Sequence, residues 1–239
     1  MTKLSATIHK WLALLMAVQI LFWFVSGLFF AAVPIERVRS EHRKAAAAVA
    51  PVPLDVAAAG IARIAEAEAA PADKIELRAL LGRPVALATR GEQRPVLYDL
   101  ANGRTLSPLP EALAREIAER DLSGDGKAIG ARWITRESPE YRGALPAWRV
   151  DFEDMASRSL YVAADSGVVT ARRSTLWRVY DFLWSLHIMD FKGHQDFNNP
   201  LLVIATALGL VIMVTGIIMF PARLGYTAWR RRRRRARAQ

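Results

Sequence analysis

The chain has 239 residues, a formal net charge of +10 and no cysteine. The lack of cysteine excludes disulfides, cysteine-bound metal clusters and thiol catalysis. Much of the positive charge lies in one place, Arg230–Arg235 with Arg237, so the net charge is not spread evenly over the chain. Besides two apolar spans, the length leaves room for one mid-sized domain or two small ones.

The first predicted element is an apolar helix over residues 11–33, which follows a short polar tail, residues 1–10. About 20 helical residues cross the roughly 30 Å of hydrocarbon in a bilayer, so this span is long enough to be transmembrane. A cleaved signal peptide is the alternative, because Ala31 and Ala32 offer small residues to a peptidase. The apolar stretch is longer than the usual ~7–15 residues of a signal peptide, which favours an uncleaved anchor.

The central region, residues 34–173, has the mixed periodicities of an α+β fold with antiparallel strands. A helix, three short strands, a second helix and further strands follow one another, with turn residues between them. The order suggests one small unit present twice, over residues 54–107 and 108–173, although any two hairpins are alike at this level of detail. The predicted elements are a helix over 54–70, strands over 75–80, 84–89 and 95–100, a helix over 110–120, and strands over 131–136, 147–152, 159–163 and 168–172.

An aromatic segment over residues 174–191 precedes the second apolar span. Trp177, Tyr180, Trp184 and His187 share one helical face at spacings of three, four and three. This pattern predicts an amphipathic helix that lies on the membrane surface or packs against the spans. The second transmembrane helix is predicted over residues 200–220, after a break that contains Gly193.

The last segment, residues 221–239, is rich in arginine and has no acidic residue. The N-terminal tail likewise has Lys3 and Lys10 and no acid. Because short flanks rich in lysine and arginine stay in the cytoplasm, both termini are predicted to be cytoplasmic and the central domain periplasmic, in a bacterial inner membrane. The arginine run is interpreted as a topology determinant that contacts anionic membrane lipid, and nucleic-acid binding is not expected. Trp11 and Trp229 are expected at the cytoplasmic edge of the membrane.

Three of the four histidines are candidate functional residues. His9 lies near the cytoplasmic end of the first span, His187 on the aromatic face of the pre-membrane helix, and His194 in a glycine-containing turn. A histidine at membrane depth is costly unless it faces a partner, which makes each a functional candidate. The plainer alternatives are an interfacial anchor for His9, a hydrogen-bonded packing residue for His187 and an exposed loop residue for His194. His42 lies among charged residues and is interpreted as solvated.

Neutral imidazole is a good axial ligand for haem iron. His9 and His187 are predicted near opposite membrane faces, about 30 Å apart along a helix, so within one chain they cannot ligate the same iron. Each face then has its own haem, or a second subunit completes each site. A homodimer that forms a four-helix bundle is the favoured arrangement, and ligation by histidine with Met219 or Met189 is the alternative.

Several short motifs lie in and around the spans and in the insert: Ile8–Leu12, Ser26–Leu28, Leu186–His187, Thr215–Ile217, Leu145–Val150 and the hairpin from Tyr161 to Gly167. Two of them contain matched pairs of small residues, one in each span, that permit close helix approach. Together these motifs resemble the PepSY-associated transmembrane proteins of bacterial inner membranes. The last two resemble the family's PepSY modules in the periplasm.

The resemblance implies that His9 and His187 bind the iron of haem b, with His194 as a weaker candidate. Some relatives reduce ferric siderophores by passing electrons across the membrane. The first hypothesis is therefore a haem-binding electron-transfer protein, a component of ferric-siderophore or iron reduction. Larger members have four spans, whereas this chain has two predicted, which favours a homodimer or a partner membrane subunit.

The second hypothesis is a membrane-anchored module without enzymatic activity. Its PepSY-like domain would bind or inhibit a periplasmic peptidase or a sensor. The observation behind it is that the insert contains no recognisable catalytic motif: no glycine-rich phosphate loop, no His-Glu-x-x-His and no nucleophile elbow.

Overall fold

A computed structural model describes residues 2–46, 51–67, 71–124 and 126–223. The chain divides into two compact units, Met1–Ala32 with Asp181–Gln239, and Val33–Tyr180. The arginine run and Trp229, on which the predicted orientation partly depends, lie outside the described residues. The predicted fold class is confirmed: apolar helices near both ends of the chain are separated by antiparallel sheets.

The first unit contains two long apolar helices, α1 (Thr2–Ala32) and α6 (Pro200–Arg223). Their apolar stretches, Leu4–Ala32 and Pro200–Pro221, are both long enough to cross a membrane. His9 lies beside Gly216, whereas Trp23, further along α1, lies beside Gly209. Residues later in α1 therefore contact residues earlier in α6, which means that the two helices are antiparallel.

One face of each long helix packs against the other. Met16, Ala205 and Ile212 are buried in a small core, with Ile20 and Trp23 packed around it. The opposite faces consist of exposed aliphatic and aromatic side chains. Exposing such an apolar surface to water is unfavourable, whereas exposing it to the lipid of a bilayer is not. The most exposed members include Leu14, Leu15, Phe24, Leu28, Ile217 and Phe220.

The second unit contains two antiparallel sheets. The first has the order β1-β2-β3 and the second the order β4-β5-β6-β7. The elements in chain order are α2 (Ile35–Val38), a 3-10 turn (Glu41–Arg43), α3 (Leu54–Ala67), β1 (Lys74–Leu80), β2 (Arg83–Thr89), β3 (Val96–Asp99), α4 (Glu111–Asp121), β4 (Lys127–Ile134), β5 (Ala147–Glu153), β6 (Ser159–Ala163), β7 (Val169–Arg173) and α5 (Thr175–Ile188), which continues into the first unit.

Alternation along β2 explains how the first sheet is covered on both faces. Successive strand residues point to opposite sides, so Val85 and Leu87 face one way while Ala86 and Ala88 face the other. Val85 joins the main core, which includes α4 and the second sheet. Ala86 and Ala88 join a smaller core that contains Ile64 of α3. The two sheets therefore share one hydrophobic core.

The structure differs from the sequence prediction in two places. The first helix begins at Thr2, ahead of the predicted start at 11, so the short polar tail is helical as well. Strand β4 begins at Lys127, ahead of the predicted start at 131, and a bulge between Ala128 and Gly130 obscures its alternation. Three strands follow α3 and four follow α4, as expected from the sequence, and the duplication of one unit stays a prediction.

A polar network holds the first turns of α5 against the second sheet. The Glu140 carboxylate accepts hydrogen bonds from Arg178 Nε at 2.5 Å, Arg149 at 2.8 Å and the Tyr161 hydroxyl at 3.0 Å. Burial opposes ionisation of Glu140, but the hydrogen bond from Arg178 and the two guanidinium charges outweigh it and lower its pKa. Burial raises the pKa of Tyr161 to about 12, which keeps its hydroxyl a donor.

Candidate functional site

His187, near the end of α5, forms a hydrogen bond with α1 through one nitrogen of its ring. Its Nδ1 lies 2.7 Å from the hydroxyl oxygen of Ser26. Ser26 is completely buried, although most of its helix presents apolar side chains outward. A buried hydroxyl in an apolar helix needs a partner, and the imidazole of His187 provides one.

The neighbours of Ser26 fix the position of the His187 proton. The hydroxyl of Ser26 lies 2.5 Å from the carbonyl oxygen of Phe22, a separation that requires a proton between the two oxygens. A carbonyl can only accept, so the single hydroxyl proton is used there. Nδ1 of His187 must then donate to Ser26, which leaves the lone pair on Nε2.

Two further side chains of α1 hold the end of α5. The indole Nε1 of Trp23 donates to the carbonyl oxygen of His187 at 2.8 Å, and Nε2 of Gln19 donates to that of Leu186 at 3.1 Å. Gln19, Trp23 and Ser26 recur at spacings of four and three, so they share one face of α1. This polar face satisfies the terminal carbonyl groups of α5, which have no partner within the helix.

Aromatic rings surround the His187 imidazole. The ring of Trp184 is nearly parallel to it, with centroids 6.4 Å apart and an angle of 6°. The ring of Phe30 meets it edge-on at 5.6 Å. Beside Ser26, a side chain at Gly27 would meet nothing within 4 Å. The imidazole of His187 therefore lies among flat aromatic rings.

His9 has a corresponding arrangement near the other end of α1. Its Nδ1 lies 2.9 Å from the carbonyl oxygen of Ile212 and 3.2 Å from the hydroxyl of Thr215. Because the carbonyl can only accept, Nδ1 of His9 carries a proton, and in the neutral ring the lone pair is then on Nε2. Thr215 itself donates to the carbonyl of Val211 at 2.8 Å.

The residue after Thr215 determines how close His9 can come. A side-chain carbon at Gly216 would lie 3.2 Å from Cε1 of His9. Glycine therefore gives the imidazole room to reach the carbonyl of Ile212. The two small pairs noticed in the sequence thus share one feature, since each places a hydroxyl beside a histidine.

His194 is held in a different way from the other two. Its Nδ1 lies 2.6 Å from the carboxylate of Asp181, and its carbonyl accepts a hydrogen bond from Nε1 of Trp184 at 3.1 Å. Its backbone has a φ of +57°, an uncommon conformation for a residue other than glycine. His194 is half-buried and paired with a carboxylate, so it is not simply an exposed loop residue.

The loop that contains His194 is organised by Asp190. Its carboxylate accepts backbone hydrogen bonds from Lys192, Gly193, Gln195 and Asp196. These bonds, led by that from Asp196, lower the pKa of Asp190 well below its usual range. The loop therefore has a defined conformation that places His194 beside the end of α5.

The structure does not bring His9 and His187 together. Ser26 is the α1 residue that forms a hydrogen bond with the His187 ring. His9 and Ser26 are about 25 Å apart along α1, at a rise of ~1.5 Å per residue. His194 instead lies near His187, since both contact Trp184. Among the described residues, no group of three or more histidine, aspartate or glutamate side chains could hold a metal ion.

The polar side chains that hold the histidines were not predicted from the sequence. Ser26 and Thr215 were noticed only as small residues, while Gln19, Trp23 and Asp181 were not singled out. A detectable pattern existed for α1, because Gln19, Trp23 and Ser26 occupy one helical face within an otherwise apolar span. A polar stripe of this kind usually faces another protein element.

The fold and site define a membrane protein with two apolar helices, an α+β insert and a hydroxyl-paired histidine toward each end of the helix pair. The chain matches the family model described as PepSY-associated TM region over residues 6–239. It therefore belongs to the family of PepSY-associated transmembrane proteins, as the sequence motifs indicated. Searches of curated proteins and of solved structures found no match.

Proposed function

We infer that this protein binds haem b through His9 and His187 and carries electrons across the bacterial inner membrane. The termini lie in the cytoplasm and the α+β insert in the periplasm, where the electrons reduce ferric iron held in a siderophore. The observation that carries this proposal is that Nδ1 of each histidine contacts a protein oxygen, which in the neutral ring leaves the lone pair on Nε2.

That state is the one an iron ligand needs. A metal-binding histidine commonly donates its other ring proton to a protein acceptor, which fixes the tautomer and the ring orientation. Ile212 and Thr215 provide the acceptors for His9, and Ser26 provides the acceptor for His187. Haem iron, when bound, supplies one-electron redox chemistry.

Each site in one chain has a single such histidine, so the second axial ligand comes from elsewhere. A second copy related by a two-fold axis along the membrane normal would bring the two His9 residues to one face and the two His187 residues to the other. The exposed apolar sides of α1 and α6 offer a surface for this pairing. The result is the four-helix arrangement expected from the sequence.

The test is a reduced-minus-oxidised absorbance spectrum of the full chain, purified in mild detergent with haem available during expression. We expect a b-type band in the wild type and about half of it in His9→Ala or His187→Ala. The double variant should have none. His42→Ala is the matched control and should keep the full band, because His42 lies outside the two apolar helices.

Two results would overturn the proposal: no haem band from a folded wild-type protein, or a band that persists in the double variant. His194→Ala tests the weaker ligand candidate separately, and the pairing of His194 with Asp181 leads us to expect an unchanged band. Light scattering of the same samples measures whether the haem-bound form contains two copies. If haem is absent, stoichiometric capture of a periplasmic peptidase or sensor by the full chain would support the alternative of a partner-binding module.

A further inference from the structure

A cleft of about 400 Å³ lies between the two sheets of the insert. A volume of this size is typical of sites for small molecules. Its walls come from the β1–β2 turn, the end of α4, the β6–β7 turn and the segment that follows the 3-10 turn. The charged lining residues are Lys44, Arg78, Arg120, Asp121 and Arg172, and the apolar ones include Leu81 and Ile117.

The charged residues of the cleft are mostly positive. Asp121, the one acid among the described lining residues, is already paired with Arg172, whose Nε donates to the Asp121 carboxylate at 2.6 Å. Their charges cancel, so the positive charges of Lys44, Arg78 and Arg120 are not compensated by the lining. Within the described part of the chain, neither Lys44 nor Arg120 forms a side-chain ion pair.

Arg78 is the least satisfied of these cations. Its guanidinium donates to the carbonyl oxygen of Ser166, but its Nε is buried and has no hydrogen-bond partner. Burial lowers the pKa of Arg78, and the negative charge of Glu76 only partly offsets this effect. A half-buried cation with an unused donor is costly unless an anion compensates it.

The cationic groups are positioned by the backbone before any ligand arrives. The N–H of Ala45 donates to the carbonyl of Asp121 at 2.7 Å, and the N–H of Ser123 donates to that of Arg43 at 2.8 Å. These bonds hold Lys44 beside the end of α4, where Arg120 lies. The backbone around Lys44 and Arg120 is therefore already in place, and binding has to order only their side chains.

We propose that this cleft binds a small organic anion whose carboxylate or phosphate oxygens contact Lys44, Arg78 and Arg120. The apolar part of the ligand lies against Leu81 and Ile117. Charged donors on both walls suit an anion with more than one oxygen, since guanidinium groups bind such oxygens through directed hydrogen bonds. The site lies wholly in the insert and does not depend on haem binding.

The experiment is isothermal titration of the full chain in phosphatidylcholine nanodiscs at low ionic strength. Citrate serves as the carboxylate probe and inorganic phosphate as the phosphate probe. We expect one site per chain for at least one probe, and the preferred probe identifies the ligand chemistry. Arg78→Gln and Arg120→Gln should each weaken binding about tenfold or more, since a charge-assisted hydrogen bond is lost.

Arg104→Gln is the matched control, because it removes the same charge from an exposed position outside the cleft. It should leave the affinity unchanged. If Arg78→Gln fails to fold, Arg120→Gln and Lys44→Gln still test the proposal, since both side chains are exposed. Circular dichroism checks folding. The proposal is overturned if neither probe binds the folded wild type, or if Arg104→Gln weakens binding as much as the cleft variants.

Discussion

The Nδ1 atom of His187 lies 2.7 Å from the hydroxyl oxygen of Ser26. Toward the other end of the helix pair, His9 has the same kind of partner in Thr215 at 3.2 Å. In each case a hydroxyl on one of the long helices contacts a histidine on another helix, and a glycine follows the hydroxyl residue. The two ends of the helix pair thus use one device, which fixes the imidazole and leaves Nε2 available.

If the protein binds haem as proposed, the hydroxyl groups should control the haem affinity through the histidines that they contact. We expect Ser26→Ala to weaken haem binding about 10- to 100-fold, the usual cost of losing an acceptor behind a ligand histidine. Thr215→Val should cost less, because His9 keeps its bond to the Ile212 carbonyl. Haem titration of the purified chain measures both. Thr206→Val is the control, since Thr206 bonds only the carbonyl of Leu202 in its own helix. Equal affinities for wild type and Ser26→Ala would contradict the assigned role.

The indole of Trp23 should hold the end of α5 in place. Trp23→Phe keeps an aromatic ring in the small helical core but removes the hydrogen bond to the His187 carbonyl. We expect a loss of about 1 kcal/mol of local stability, the usual net value of such a bond. Hydrogen exchange over residues 186–189 should accelerate accordingly. Trp11→Phe, at an exposed position, should leave that exchange unchanged; equal exchange in both variants would argue against the role of Trp23.

The carboxylate of Glu140 should stabilise the junction between the second sheet and α5. Glu140→Gln removes the negative charge that faces Arg149 and Arg178, and we expect the insert to lose about 1–3 kcal/mol of stability. Thermal unfolding of the full chain in detergent, followed by circular dichroism of the strands, measures the loss. Glu116→Gln on exposed α4 surface is the control and should unfold like the wild type.

The stabilisation by the Glu140 carboxylate should also depend on pH, and its pKa gives the direction. The pKa of Glu140 is lowered on folding from its ordinary value of 4.5, so its stabilising contribution is present above that value. The contribution is lost as the pH falls through the lower pKa of the folded state. Wild type and Glu140→Gln should therefore differ in unfolding temperature at neutral pH and converge in acid. A difference that persists unchanged at low pH would rule out this electrostatic origin.

Close packing at Gly60 should make α3 intolerant of a side chain. A β-carbon there would lie 2.5 Å from Cδ2 and 2.7 Å from the backbone oxygen of Leu100. Since the carbonyl cannot rotate away, α3 must move off the first sheet, and we expect Gly60→Ala to cost about 1–3 kcal/mol despite the better helix propensity of alanine. Thermal unfolding is the measurement. Gly130→Ala, where nothing lies within 4 Å, should have little effect, and equal unfolding temperatures would contradict the packing argument.

The sequence by itself determined the type of each major element. Runs of about 20 apolar residues permit little except a helix that crosses a membrane, and period-two alternation with turn residues predicted most strands of the insert to within a residue or two. The motifs around His9, Ser26 and His187 also sufficed to indicate the family. These features are local, because hydrophobic period and turn chemistry depend on residues close together in the chain.

Only the tertiary structure decided which groups meet. Ser26 and His187 are separated by 161 positions in the sequence, and His9 and Thr215 by 206. No period or spacing encodes such pairs, since they depend on how two apolar helices pack and on where α5 ends. The same holds for the cationic cleft, where Arg78 of the first sheet meets the β6–β7 turn of the second. Residue composition supplied the chemistry, and packing between distant segments decided which side chains could use it together.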